Sequence, residues 1–214
     1  DPLLSLFTTA AVATWFLALQ ERKRSRRVGY LVACGVACGG AFLVKGFVGW
    51  AVPALVALGY VVAERRWRVL VSLAWIPIGV AIVVVAPWAV LIHLQEPDFW
   101  RYFIWVEHIN RFASDTAQHT RAPWFFLTLL PLLGWPWTVT WPAAWIGLRR
   151  TLRGRPFLVY AALWALLPFV FFSISRGKLL TYILPCFPAL SILVAAGLSE
   201  YFASARQRAM GVAM

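Results

Sequence analysis

Residues 21–68 read ERKRSRRVGYLVACGVACGGAFLVKGFVGWAVPALVALGYVVAERRWR. Two apolar runs, about 28–44 and 47–63, stand between two basic runs, ERKRSRR (21–27) and ERRWR (64–68). Only the turn VKGF (44–47) separates the apolar runs from each other. A helix of roughly 20 apolar residues matches the thickness of a bilayer's hydrocarbon core. Lys and Arg gather in the short loops on the cytoplasmic side of a membrane. The stretch therefore reads as a hairpin of two membrane helices. Its basic outer ends lie in the cytoplasm and its tight turn faces the other side.

The same pattern extends in both directions. Candidate helices fall at about 2–20, 28–44, 47–63, 69–91, 124–147, 156–174 and 182–199. Basic runs recur at RRTLRGR (149–155) and in a tail ending RQR (206–208), so that 14 of the 20 Lys and Arg residues sit in the four basic segments. Alternating the spans sends Asp1, the 44–47 turn, a loop of about 92–123 and SRGKLLTY (175–182) to the extracytoplasmic face. No segment has to break the alternation.

The composition agrees: 62% of the 214 residues are hydrophobic and 13% charged, and the mean hydropathy is +0.75, where soluble domains carry about 25% charged residues. The expected fold is an all-α membrane protein of about seven transmembrane helices with one long extracytoplasmic loop. Residues 1–200 are expected to form the membrane region and 201–214 a cytoplasmic tail or a truncated continuation. The net charge of +12 is spread over short runs between oily segments, which fits membrane topology and not a nucleic-acid partner. The chain opens at Asp1 without Met or a basic start, as a piece of a longer protein would. Cys34, Cys38 and Cys186 have no zinc-site or disulfide spacing and read as small packing residues.

The 92–123 loop gathers the polar chemistry. Glu96, Asp98, Glu107 and Asp115 are four of the eight acidic residues, and His108 and His119 two of the three histidines. In DFWRYFIWVEHINRF (98–112), Phe99, Tyr102, Phe103, Ile109 and Phe112 approximate a helical apolar stripe, as in a helix lying along a membrane interface. Glu107 and His108 are of metal-binding or proton-moving type, yet adjacent helical residues do not face one another, so a metal would need a ligand from elsewhere. Asp115 and His119 are spaced i, i+4, but their Ser and Thr neighbours favour a loop. Asp1 precedes an apolar run and Pro2, a good helix cap. Equally, its carboxylate suits the mouth of a helix bundle, orienting an acceptor or holding a cation.

Lys45, Arg176 and Lys178 lie on the face where the topology rule expects few cations. Either they snorkel to lipid headgroups, or they form a phosphate site of point charges and forked donors. Gly46 and Gly177 beside them would let backbone approach an anion, and Tyr182, four residues after Lys178, would bring a hydroxyl to the same place.

PWAVLIHLQEPDFWRYFIWVEHINRFASDTAQH (87–119) and PFVFFSISRGKLLTYILPCFPAL (168–190), with DPLLSLF (1–7) and FLVKGFVGWAVPAL (42–55), closely resemble the bacterial 4-amino-4-deoxy-L-arabinose transferases of lipid A modification. These are inner-membrane GT-C glycosyltransferases related to the protein O-mannosyltransferases, and the likeness covers about residues 1–200. It implies transfer of a sugar from an undecaprenyl phosphate-linked donor to a lipid A phosphate at the periplasmic face of the bacterial inner membrane. It also implies polymyxin resistance as the biological context. Asp1 matches a family aspartate near the active cavity and is the catalytic candidate. Lys45 matches the Lys-Gly turn, Lys178 and Tyr182 match the GKLxTYILP segment, and Arg176 joins them as a substrate-binding candidate. No cofactor is required; His108 falls in the loop where family members can hold a structural or regulatory zinc ion with a carboxylate from another loop, and is the metal candidate for the intact enzyme. Family members also carry an acidic loop before and further spans and a soluble domain after the matched region, so the chain is expected to be a fragment of such an enzyme. Two other classes stay open. A flippase for lipid-linked sugars would show ionisable residues at mid-membrane, which the spans lack. A non-catalytic membrane scaffold would not explain polar residues gathered on a single face.

Overall fold

The computed structural model describes residues 1–110 and 121–212, with side chains described for all of these except 107–110, 153 and 205–212. The helices are α1 (Pro2–Gln20), α2 (Arg24–Lys45), α3 (Phe47–Ala63), α4 (Trp67–Leu73) and α5 (Trp75–Gln95). After them come α6 (Phe99–Arg101), which runs on as a π-helix over Tyr102–Asn110, then α7 (Phe125–Leu133), α8 (Trp141–Thr151), α9 (Pro156–Ile174) and α10 (Phe187–Val212). Five helical segments are long and apolar enough to cross a membrane: Pro2–Gln20, Arg24–Lys45, Trp67–Gln95, Pro156–Ile174 and Leu180–Ser204. Helix α3 is an apolar helix of 17 residues. The chain is a multi-pass, all-helical membrane protein, and the hairpin read from residues 21–68 is its α2–α3 pair.

One expected span is built differently. The 124–147 run is not a continuous helix, because α7 ends at Leu133 and α8 begins only at Trp141 and continues to Thr151. Between them Gly134 weakens the helix and Pro136 cannot donate a backbone hydrogen bond; a short 3-10 turn, Trp137–Thr140, carries the chain across.

The bundle is held by α1 along α2, α2 along α5, α8 along α10, and α9 against α3 and α10. Its centre is aromatic. Phe16 lies 4.7 Å from Tyr160, and Tyr60 meets Tyr160 edge-on at 5.1 Å. Rings of this kind bury a large apolar area, but their polar tips must be satisfied. The Tyr160 hydroxyl donates to the Val12 carbonyl at 2.7 Å, and Trp164 Nε1 donates to the Pro185 carbonyl at 3.0 Å. Both bonds tie one helix to a distant segment in a setting where water supplies no partner.

The turn between α2 and α3 is set by Gly46, whose φ of 63° is a conformation that favours glycine. Its N–H closes the last turn of α2 on the Phe42 carbonyl at 2.6 Å. This leaves Lys45 at the end of one helix with Phe47 opening the next. The π-helix docks against that turn: Phe103 packs on Phe47 at 5.9 Å and on Phe42 at 6.1 Å, and Phe99 on Trp88 at 5.8 Å. The expected stripe is therefore altered. Phe99 and Phe103 form it, stacked at 5.1 Å, and Trp100 joins them against Trp88 at 6.1 Å. Tyr102 turns outward instead, 54% exposed. The cause is helix geometry: Phe99 and Phe103 lie one turn apart on one face with Trp100 beside them, which leaves Tyr102 on the far side with Arg101.

Candidate functional site at the lysine turn

Asp1 sits at the cap position of α1, followed by Pro2, yet its side chain makes no capping hydrogen bond. The carboxylate is committed elsewhere. Oδ1 is paired with the Lys45 ammonium at the end of α2. Oδ2 accepts the Thr181 hydroxyl from the start of the Leu180–Cys186 segment. Residues 1, 45 and 181 thus meet at one end of the bundle. Asp1 is 14% and Lys45 26% exposed, so the pair is shielded from water more than an ordinary surface pair. The Lys45 ammonium also lies over the Tyr182 ring, 4.3 Å from its centroid, a favourable cation–π position. Tyr182 is in turn held against Phe172 at 5.7 Å.

Lys178 forms a second centre. It is 3% exposed, so it does not snorkel. Its ammonium donates to the Arg121 carbonyl at 3.0 Å and to the Ser175 carbonyl, while the Arg121 N–H donates to the Arg176 carbonyl at 3.3 Å. The end of the long loop is thereby clasped to the 175–178 segment. Burial holds the Lys178 ammonium below the ordinary lysine range. Carbonyl dipoles stabilise its charge, and no carboxylate among the described residues neutralises it. Arg176 is exposed beside it.

The structure joins Asp1, Lys45 and Tyr182 directly. It places Lys178 and the backbone of Arg176 in the adjoining strand of chain. The expected i, i+4 pairing of Lys178 with Tyr182 is corrected, because residues 178 and 179 lie outside any helix and 180–186 winds as a 3-10 helix; Tyr182 faces Lys45 instead. Thr181 and Arg121 were missed by sequence reasoning. Thr181 had a signal in its position beside Tyr182, whereas Arg121 acts through its main chain and left none. His108 belongs to the π-helix by its backbone, but its side chain, with Asp115 and His119, lies outside the described residues. Among the described residues no three His, Cys, Asp or Glu side chains gather as metal ligands.

Among the described residues, the segment 175–182 and its side-chain contacts carry one carboxylate, Asp1, against Lys45, Arg176 and Lys178. That is the balance of a site for an anion at the end of a membrane bundle. Comparison with known proteins agrees on the class of the fold. Residues 1–103 match the dolichyl-phosphate-mannose-protein mannosyltransferase family, so the fold is that of a membrane glycosyltransferase family.

The chain is 41% identical over 215 residues to the undecaprenyl phosphate-alpha-4-amino-4-deoxy-L-arabinose arabinosyl transferase of Aeromonas hydrophila, covering 99% of this chain and 39% of that protein. It is 41% identical over 213 residues to the corresponding transferase 2 of Pseudomonas fluorescens, covering 99% of this chain and 38% of that protein. The crystal structure of ArnT from Cupriavidus metallidurans bound to undecaprenyl phosphate superposes with a TM-score of 0.80 at 34% identity, over 92% of this chain and 36% of that one. Its apo state gives 0.77. The chain belongs to the 4-amino-4-deoxy-L-arabinose arabinosyl transferase family, and it spans about two fifths of the length of these relatives.

Proposed function

We propose that this chain provides the lipid-phosphate end of a glycosyltransferase that moves 4-amino-4-deoxy-L-arabinose from undecaprenyl phosphate to a phosphate of lipid A. The site lies on the periplasmic face of the bacterial inner membrane. The observation that carries this reading is the Lys45 ammonium, fixed at the helix end by Asp1 and by the Tyr182 ring. A cation held in place by neighbours loses little freedom when an anion arrives. Arg176 supplies a forked donor at the rim, and buried Lys178 adds positive field while clasping the loop. The transfer family of the relatives named above supports the choice of donor.

In the reaction an acceptor phosphate oxygen attacks the anomeric carbon. The bond from that carbon to the lipid phosphate oxygen breaks, and its electron pair leaves on undecaprenyl phosphate. A phosphate nucleophile is already ionised near neutral pH, so no strong base is needed. The protein's work is positioning and stabilising the charge that grows on the leaving phosphate. Lys45 and Arg176 do the latter. Asp1, with an oxygen on each of Lys45 and Thr181, acts on the reaction by holding Lys45. The test is binding to the chain in lipid nanodiscs of undecaprenyl phosphate against undecaprenol, which lacks the phosphate. One charge-assisted contact of about 1.5–3 kcal/mol makes the phosphate form bind roughly 10- to 100-fold more tightly. Equal affinity for the two lipids would leave only a hydrophobic groove.

A further inference from the structure

The outer face of the π-helix carries a second group of residues that the lysine turn does not use. Asp98, Arg101, Tyr102, Trp105 and Val106 line an open groove of about 630 Å³, within the usual size of a small-molecule site. Tyr102 is 54% and Trp105 57% exposed. Asp98 and Arg101 are exposed too. The inner face of the same helix is committed to the bundle through Phe99, Trp100 and Phe103, so the groove sits on an anchored element. That anchor reaches the lysine turn itself, since Phe103 touches Phe47, two residues beyond Lys45. With Phe99, Trp100 and Phe103 turned inward, Tyr102 faces outward beside Arg101, and the π winding that follows is of a kind that recurs at functional sites.

We infer that this groove binds the phosphorylated sugar headgroup of the acceptor lipid. The chemistry matches in kind. Flat, exposed aromatic rings offer apolar faces on which the C–H faces of a sugar ring lie. A carboxylate accepts from several hydroxyls or an amine, as Asp98 would. A guanidinium grips a phosphate with two parallel N–H bonds, as Arg101 would. A purely interfacial anchor calls for aromatic and basic residues but has no use for a carboxylate facing anionic headgroups. The inference rests on the proposed transfer to a glycolipid phosphate and adds where that acceptor is held.

The probe is deacylated lipid A, a soluble phosphorylated disaccharide, titrated against the 214-residue chain in nanodiscs of zwitterionic lipid. Saturable binding is expected. Arg101→Gln should weaken it roughly 10- to 100-fold and abolish the preference for the phosphorylated over the dephosphorylated disaccharide. Trp105→Ala should weaken both forms about tenfold. Trp145→Ala, an equally exposed tryptophan elsewhere, should change nothing. Affinities of Arg101→Gln and Trp105→Ala equal to wild type would overturn the inference. So would loss of all disaccharide binding in the presence of vesicles of anionic phospholipid, which would make the face a membrane anchor. Undecaprenyl phosphate binding by the same samples separates the two readings. If it persists while the disaccharide fails to bind, the groove is wrong and the lysine turn stands; if it is absent from wild type, the underlying function fails.

Discussion

Thr181 and Lys178 lie three residues apart and act by opposite means. The Thr181 hydroxyl fills the second oxygen of Asp1, a task for which its sequence context gave only a faint hint, because an uncharged residue between Leu180 and Tyr182 looks like packing. Lys178 was legible as an out-of-place cation, but its partners were not, since both are main-chain carbonyls. Its burial has a consequence for pH. The folded state lowers the affinity of Lys178 for its proton, so the unfolded chain binds that proton more tightly. The charged form therefore costs stability at every pH below the lowered folded value. That cost fades as pH rises from the lowered folded value toward the ordinary lysine value, and stability climbs with it. Lys178→Met removes this term. Thermal unfolding in detergent micelles should show stability rising across the alkaline range for wild type and a flatter profile for the variant. Identical slopes would mean that the buried ammonium is not the source.

Among the elements, the α2–α3 hairpin was readable because three signals coincide in it: two basic stops, two apolar runs and a glycine at the turn. The α7–α8 region was not, because hydropathy measures oiliness and cannot see that Gly134 and Pro136 interrupt the hydrogen-bond ladder. The π-helix was half readable. Its aromatic content predicted an amphipathic element, while its winding and the choice of Trp100 over Tyr102 for the inner face emerged only from packing. Helices α8 and α10 meet at glycines. A Cβ on Gly147 would lie 1.9 Å from the Gly197 carbonyl oxygen, and one on Gly197 would lie 2.1 Å from the Ala144 carbonyl oxygen. Backbone on both sides leaves nothing flexible to yield, as in close membrane-helix contacts built on small residues. Gly197→Leu should destabilise the bundle by about 1–3 kcal/mol or more, read as a lower unfolding temperature in micelles. Unchanged unfolding would show that α8 and α10 do not cross this closely.

At the scale of the whole molecule, charge divides the chain into two unlike ends. Cations in the linkers 21–27, 64–68 and 149–155 mark one end, and this was plain from the sequence. At the other end Lys45 pairs with Asp1 near Arg176 and Lys178, and that grouping needed the fold, which brings residue 1 to residues 45 and 181. The central claim is that only this second end binds a lipid phosphate. Affinity of undecaprenyl phosphate in nanodiscs, measured for Lys45→Met and for Arg149→Met, tests it most directly. Arg149 is an exposed cation at the other end, so the two variants remove the same charge from opposite faces. The account predicts a loss of roughly 10- to 100-fold for Lys45→Met and affinity close to wild type for Arg149→Met. Equal effects of the two substitutions, or a larger loss for Arg149→Met, would contradict it.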